Sequence, residues 1–180
     1  MSKFYKKITP KLQKFIEAQK IFFVATAPTS GRINLSPKGM DSFRVIDSNR
    51  VLWLNVTGSG NETAAHLLEN QRITIMFCSF EGAPNILRLY GSGKEIKDRD
   101  KNWNALLEHF PKTPGTRQIF DITIKSAQTS CGMSVPYFDY KGERDELNNW
   151  ASKQGKEGIK KYWEKNNQTS VDGLPTNLFT

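Results

Sequence analysis

Two cysteines, two histidines and no unbroken apolar run of membrane length limit what this 180-residue chain can be. Cys78 and Cys131 are too few for a disulfide framework and have no metal-site spacing. His66 and His109 are remote from each other, and neither has a companion ligand at metal spacing, so no metal site is expected. Cys131 has no histidine near it in sequence to activate it, which argues against a catalytic thiol. No segment approaches the roughly 18 apolar residues that a membrane span needs. The opening MSKFYKKITPKLQKF is basic but lacks the apolar block of a signal peptide. These absences together predict a cytoplasmic protein with no membrane partner. Neither a Walker loop nor a GxGxxG fingerprint occurs, so any nicotinamide would bind only transiently.

What is present is a foldable chain. Apolar residues make up 37% and charged residues 24%, too apolar for disorder and too polar for a membrane protein. The formal net charge is +8, and residues 1–20 alone hold six lysines against one glutamate. A basic balance suits nucleic acid, an anionic surface or a phosphorylated ligand. No nucleic-acid motif accompanies it, so solvated helix faces are the preferred explanation and no nucleic-acid partner is expected.

Thr9 and Pro10 open the first helix as N-cap and first helical residue. Ile21–Ala27 and Arg32–Leu35 flank the Pro28–Gly31 turn, and 43–46 and 51–56 flank Asp47–Arg50, giving two hairpins. A glycine turn at 57–60 precedes a short helix over 61–70 that ends at Asn70. A third strong strand covers 72–80. The next covers 86–96 and carries Gly91 and Gly93 as a bulge or bend. Residues 98–110 are expected to be helical, 118–129 to form the last long strand, and the tail to be helical to Asn166. Trp150, Tyr162 and Trp163 are expected to pack that tail. Such an order predicts a mainly β fold with outer helices: a closed or nearly closed antiparallel barrel of six strands. Residues 1–140 form the barrel domain, and 141–180 form a helical extension packed on it.

Three segments carry candidate chemistry. In Thr57-Gly-Ser-Gly-Asn-Glu-Thr63 a strand gives way through glycines to a helix, leaving free N–H groups that suit a phosphate. Taken alone, an ordinary helix cap explains the segment more simply. In Ser36-Pro37-Lys38-Gly39, Pro37 is expected to stop strand pairing and Gly39 to allow a sharp bend. Lys38 then meets either a ligand or solvent. Arg88 stands between Leu87 and Leu89 in a strand and needs an anionic partner or a route to water.

The order of these motifs is similar to a branch of the pyridoxamine 5′-phosphate oxidase-like flavoproteins. The resemblance rests on Asn34–Gly39, Thr57–Leu67, Ile75–Phe80, Ile86–Gly91, Gln128–Gly132 with Val135-Pro136, and Ser170–Pro175. It implies a split β-barrel that forms a homodimer and holds FMN at the subunit interface. The implied cofactor contacts are Ser36, Pro37, Lys38, Gly39, Gly58, Ser59, Gly60, Asn61, Thr63 and Arg88. Lys38 is the candidate for the pyrimidine edge of the flavin. Where the oxidases carry a basic Ser-Arg-Lys type sequence, this chain has Asn61-Glu62-Thr63, and the tail lacks the oxidases' substrate-binding arginine pattern. Pyridoxamine phosphate oxidation is therefore not assigned. The expectation is an FMN-dependent oxidoreductase acting on a small molecule, with no catalytic residue named. The alternatives are a non-catalytic flavin-binding or sensing module and a haem-binding relative on the same barrel.

Overall fold

A computed structural model describes residues 2–180. Its elements run β1 (Lys3–Tyr5), α1 (Pro10–Ala18), β2 (Phe22–Thr26), β3 (Asn34–Lys38), β4 (Phe43–Asp47), β5 (Arg50–Val56), α2 (Glu62–Asn70), β6 (Arg72–Cys78), β7 (Asn85–Ile96), α3 (Trp103–Leu107), β8 (Thr116–Cys131) and α4 (Glu146–Asn166). The strands form one antiparallel sheet in the order β3-β2-β6-β7-β8-β5-β4, with β1 beside β8. Eight strands replace the six expected. The extra pairing comes partly from β1, whose Lys3 pairs with the distant Thr129 of β8.

The sheet curls around an apolar interior. Val24, Val51, Trp53, Ile75, Phe77, Leu87, Leu89, Phe120 and Ile122 fill it, and Leu12 and Ile16 of α1 close one side. β3 and β4 end the hydrogen-bonded order, so the barrel is split there. Side chains bridge the gap: the rings of Phe22 and Phe43 lie 5.0 Å apart, and Phe43 meets Phe77 edge-on at 5.2 Å. β5 reads as the unbroken run Val51-Leu-Trp-Leu54 because both its faces are covered. Leu52 and Leu54 face a second cluster under α3, with Trp103, Leu106 and Phe110.

Local signals place several boundaries. Thr9 caps α1 by accepting the Leu12 N–H at 3.3 Å, with Pro10 at the first helical position. The bend expected near Gly91 is a register shift between Tyr90 and Gly91, where a Cβ would land on the Thr123 carbonyl oxygen. α2 ends at Asn70 as expected, but the left-handed residue that closes it is Gln71 (φ 57°) rather than Asn70. α3 is shorter than expected because residues 97–102 are spent on a turn. There the Asp100 carboxylate accepts the Lys97 N–H at 2.7 Å. The tail helix ends at Asn166 and is broken at Gly155, where φ is 64°.

Pro37 does not stop pairing. Phe23 pairs with Pro37 and Phe22 with Lys38. β3 is an edge strand, so a residue without an N–H is tolerated in it. Nor does Gly39 make the bend: the left-handed residues are Met40 (φ 65°) and Asp41 (φ 52°). Arg44 fastens this turn through both Asp41 oxygens at 2.7 and 2.8 Å. Among the described residues no helix is long and apolar enough to cross a membrane.

Candidate functional site

The end of β5 builds the site. Thr57 leaves the strand with its N–H and hydroxyl both on the Gly115 carbonyl, each at 2.8 Å. Gly115 is left-handed (φ 72°), and a Cβ there would press on Ala151 and the Thr57 hydroxyl at 3.1 and 3.3 Å. The glycine turn and the first residues of α2 then border a cleft of about 680 Å³. Asn34, Ser36 and Lys38, at alternate positions of β3, form its opposite wall, with the ring of Trp53 between.

Two buried side chains hold the turn from behind. Arg117, 5% exposed, donates to the Gly60 carbonyl at 3.1 Å, to Asn167 at 2.7 Å and to Asn55 at 2.8 Å. Asn167, fully buried, donates to the carbonyls of Gly58 and Ser59 at 3.1 and 3.3 Å. Since trans peptides set N–H opposite C=O, the N–H groups of Ser59, Gly60 and Asn61 face away from these side chains. Among the described residues those three N–H groups have no acceptor. Asn61 begins α2 without capping it; its Oδ1 accepts from Gln118 at 2.7 Å. That leaves Asn61 Nδ2, Gln118 Oε1 and Arg117 Nε buried without partners. All three atoms are buried and Gln118 does not line the cleft, so they belong to a polar layer packed beneath it.

The cleft is electropositive. Lys38, Arg117 and Lys165 line it against one carboxylate, Glu62. The tail's Val171 N–H donates to both Glu62 oxygens at 3.1 Å, drawing that charge toward the tail. Lys38 lies over the Trp53 ring at 5.3 Å. Burial, reinforced by the nearby Arg117 charge, lowers its ammonium from 10.5 to about 8. Burial likewise lowers Arg117 to about 10 against the opposing pull of Glu95 and Tyr162.

Seven of the expected contacts meet here: Ser36, Lys38, Gly58, Ser59, Gly60, Asn61 and Thr63. Pro37 and Gly39 line a neighbouring, wider cleft of about 1270 Å³ that shares Lys38 and is walled by Phe80, Phe138 and Leu147. Arg88 lines neither. It sits on the face of β7 opposite the buried Leu87 and Leu89 and donates to Ser130 at 3.1 Å. Arg117, Asn55, Gln118 and Asn167 were not expected. Only the polar start of β8, Arg117-Gln118 before an apolar run, hinted at them. His66 is buried on Thr26 at 3.0 Å, Cys78 is buried, and His109 and Cys131 are exposed.

The comparisons with known proteins agree with this architecture. The family described as pyridoxamine 5′-phosphate oxidase matches residues 8–131. The chain belongs to the pyridoxamine 5′-phosphate oxidase family. It is 35% identical to the pyridoxamine 5′-phosphate oxidase family protein ustO of Aspergillus flavus, over 96% of this chain and 76% of that protein. Among solved structures it resembles HupZ of Group A Streptococcus (TM-score 0.55, 19% identity, 68% of this chain and 99% of that one). It also resembles a putative pyridoxamine 5′-phosphate oxidase from Lactobacillus delbrueckii (TM-score 0.55, 15% identity, 68% and 94%). The FAD binding protein of Mycobacterium smegmatis is a further match (TM-score 0.50, 11% identity, 70% and 97%). These structural likenesses establish the split-barrel fold of this family member. The family match stops at β8, so Asn167 and the rest of the tail lie outside it.

Proposed function

We propose that this pyridoxamine 5′-phosphate oxidase family member binds FMN in the electropositive cleft and acts as an FMN-dependent oxidoreductase on a small molecule. The carrying observation is the glycine turn with its outward N–H groups, beside the two desolvated cations Lys38 and Arg117. Those groups suit a phosphate and the polar edge of a ring. The volume also falls within the several-hundred Å³ range of cofactor sites. Family membership supports a flavin, as does the likeness to the FAD binding protein of Mycobacterium smegmatis. Neither histidine lines either cleft, so no imidazole is offered there to a haem iron.

When bound, the flavin supplies the redox chemistry; the protein supplies orientation and electrostatics. The Ser59–Asn61 N–H groups and the Thr63 hydroxyl bind phosphate. Lys38 neutralises negative charge on the ring edge, and Trp53 forms an apolar wall. The wide apolar cleft that meets the first at Lys38 receives the substrate or electron donor. The protein works as a homodimer, with exposed Leu35 on the edge strand β3 and Ile33 just before it as part of the buried face. Arg88 stands outside the cleft of its own chain, so any contact it makes with the ligand comes through the second copy.

Calorimetry with FMN and riboflavin tests the cofactor assignment. FMN is expected to bind at least about tenfold more tightly, because hydrogen bonds to a charged group contribute about 1.5–3 kcal/mol. Thr63→Ala should weaken FMN and leave riboflavin nearly unchanged. Equal binding of the two flavins by the wild type means that the phosphate is not read. Oxidation of reduced nicotinamides by the FMN-loaded protein then separates an enzyme from a binding module.

A further inference from the structure

The tail after α4 reaches back to the glycine turn from beyond residues 8–131, the part that the family model matches. Asn167 stops α4, with φ −122° and its N–H on the Trp163 carbonyl at 2.9 Å. Every polar group it has is engaged. Its Nδ2 donates to Gly58 and Ser59, its Oδ1 accepts from Arg117, and its carbonyl accepts the Thr176 hydroxyl at 2.8 Å. Three consecutive turn carbonyls, Gly58 to Gly60, are thus gripped by Asn167 and its partner Arg117. A free glycine turn samples many peptide orientations, and only one set aims three N–H groups the same way. The tail is itself anchored. Asp172 accepts the Arg32 N–H at 2.7 Å and pairs with its guanidinium, while Lys97 and Arg99 donate to the carbonyls of Asn177, Leu178 and Thr180. Trp163 adds a bond from its indole N–H to Thr57 at 2.8 Å.

We infer that Asn167 is a positioning residue: held by the anchored tail, it presets the 58–60 peptides so that the turn selects a phosphorylated flavin over an unphosphorylated one. The inference rests on the FMN assignment above and deepens it. Asn167 touches no ligand in this scheme; it acts through the turn. Preorganised donors lose less entropy on binding, so releasing them weakens the phosphate contact and leaves contacts to the ring alone.

The test compares FMN and riboflavin affinities of the full-length wild type and Asn167→Ala. Backbone 15N order parameters of residues 58–61, without ligand, are the second readout. The expected result is an FMN affinity lower by about tenfold, the equivalent of one charge-assisted hydrogen bond, riboflavin binding within about twofold, and lower order parameters at 58–61 only. Asn167→Ser, which retains a short donor, should fall between the two and serves if the alanine variant does not fold. Equal weakening of both flavins, or an unchanged preference for FMN, overturns the inference. A wild type that shows no preference for FMN refutes the cofactor assignment itself, before any variant is made, and the inference with it.

Discussion

One strand pair contains both kinds of interior found in this protein. Along the β5–β8 ladder the facing residues read Val51–Ile122, then Trp53–Phe120, then Asn55–Gln118. The first two pairs lie in the apolar core, with Trp53 and Phe120 stacked at 4.8 Å. The third is equally buried yet polar, and it adjoins Arg117 and Asn61 with their unpartnered atoms. The apolar pairs gain by leaving water. The polar pairs lose by it, since an unsatisfied buried group costs about 1–3 kcal/mol. A polar pair continued at such a cost fits the ligand site proposed for this end of the sheet.

Substitutions at the two ends should therefore separate stability from binding. The largest effect is expected at the apolar end. Phe120→Ala should lower the unfolding free energy by about 3–5 kcal/mol, through lost burial and the cavity left behind. Urea denaturation at unchanged slope checks this. At the polar end, Lys38→Met should weaken FMN binding by about tenfold or more without lowering the unfolding free energy, since it removes a charge whose burial is unfavourable. A loss of several kcal/mol there would erase the contrast between the ends.

A smaller, pH-dependent effect sharpens the same contrast. Lys38 titrates near pH 8 in the free protein, and an anionic ligand raises that value. Its contribution to FMN affinity is thus complete below pH 8 and declines as pH rises through it, by at most about tenfold per pH unit. Stability moves the other way. Because the folded value lies below the ordinary 10.5, the unfolded chain holds the proton more tightly, and Lys38's contribution to stability rises between about 8 and 10.5. Titrations and denaturation curves of wild type against Lys38→Met isolate both slopes. Parallel trends would mean that Lys38 is not the group responsible.

The apolar end was legible in the sequence and the polar end largely was not. Period-two runs such as Arg72–Cys78, the Thr9-Pro10 cap and the glycines at the bulge announce themselves locally. The glycine turn and Lys38 were also visible, because each belongs to a compact motif. β1 escaped notice because three residues have no periodicity of their own and gain their pairing from distant β8. Asn55, Arg117 and Asn167 look like surface residues in a linear string. They become buried only when positions 62 residues apart (Asn55 and Arg117) and 109 apart (Gly58 and Asn167) are brought together. The pairing through Pro37 depended on β3 being an edge, which is a property of the sheet rather than of the strand.

The reach of Asn167 to Gly58 also bears on the order of events at the ribosome. The glycine turn is synthesised early, and the side chain that sets its peptides follows 109 residues later. At elongation rates of about 5–20 residues per second, the turn waits several seconds for its clamp. The barrel strands can pair in that interval, but the complete cleft exists only after α4 has emerged. FMN loading at this cleft would then have to follow the emergence of Asn167, and nascent chains cut short before it would carry the split barrel without a finished site.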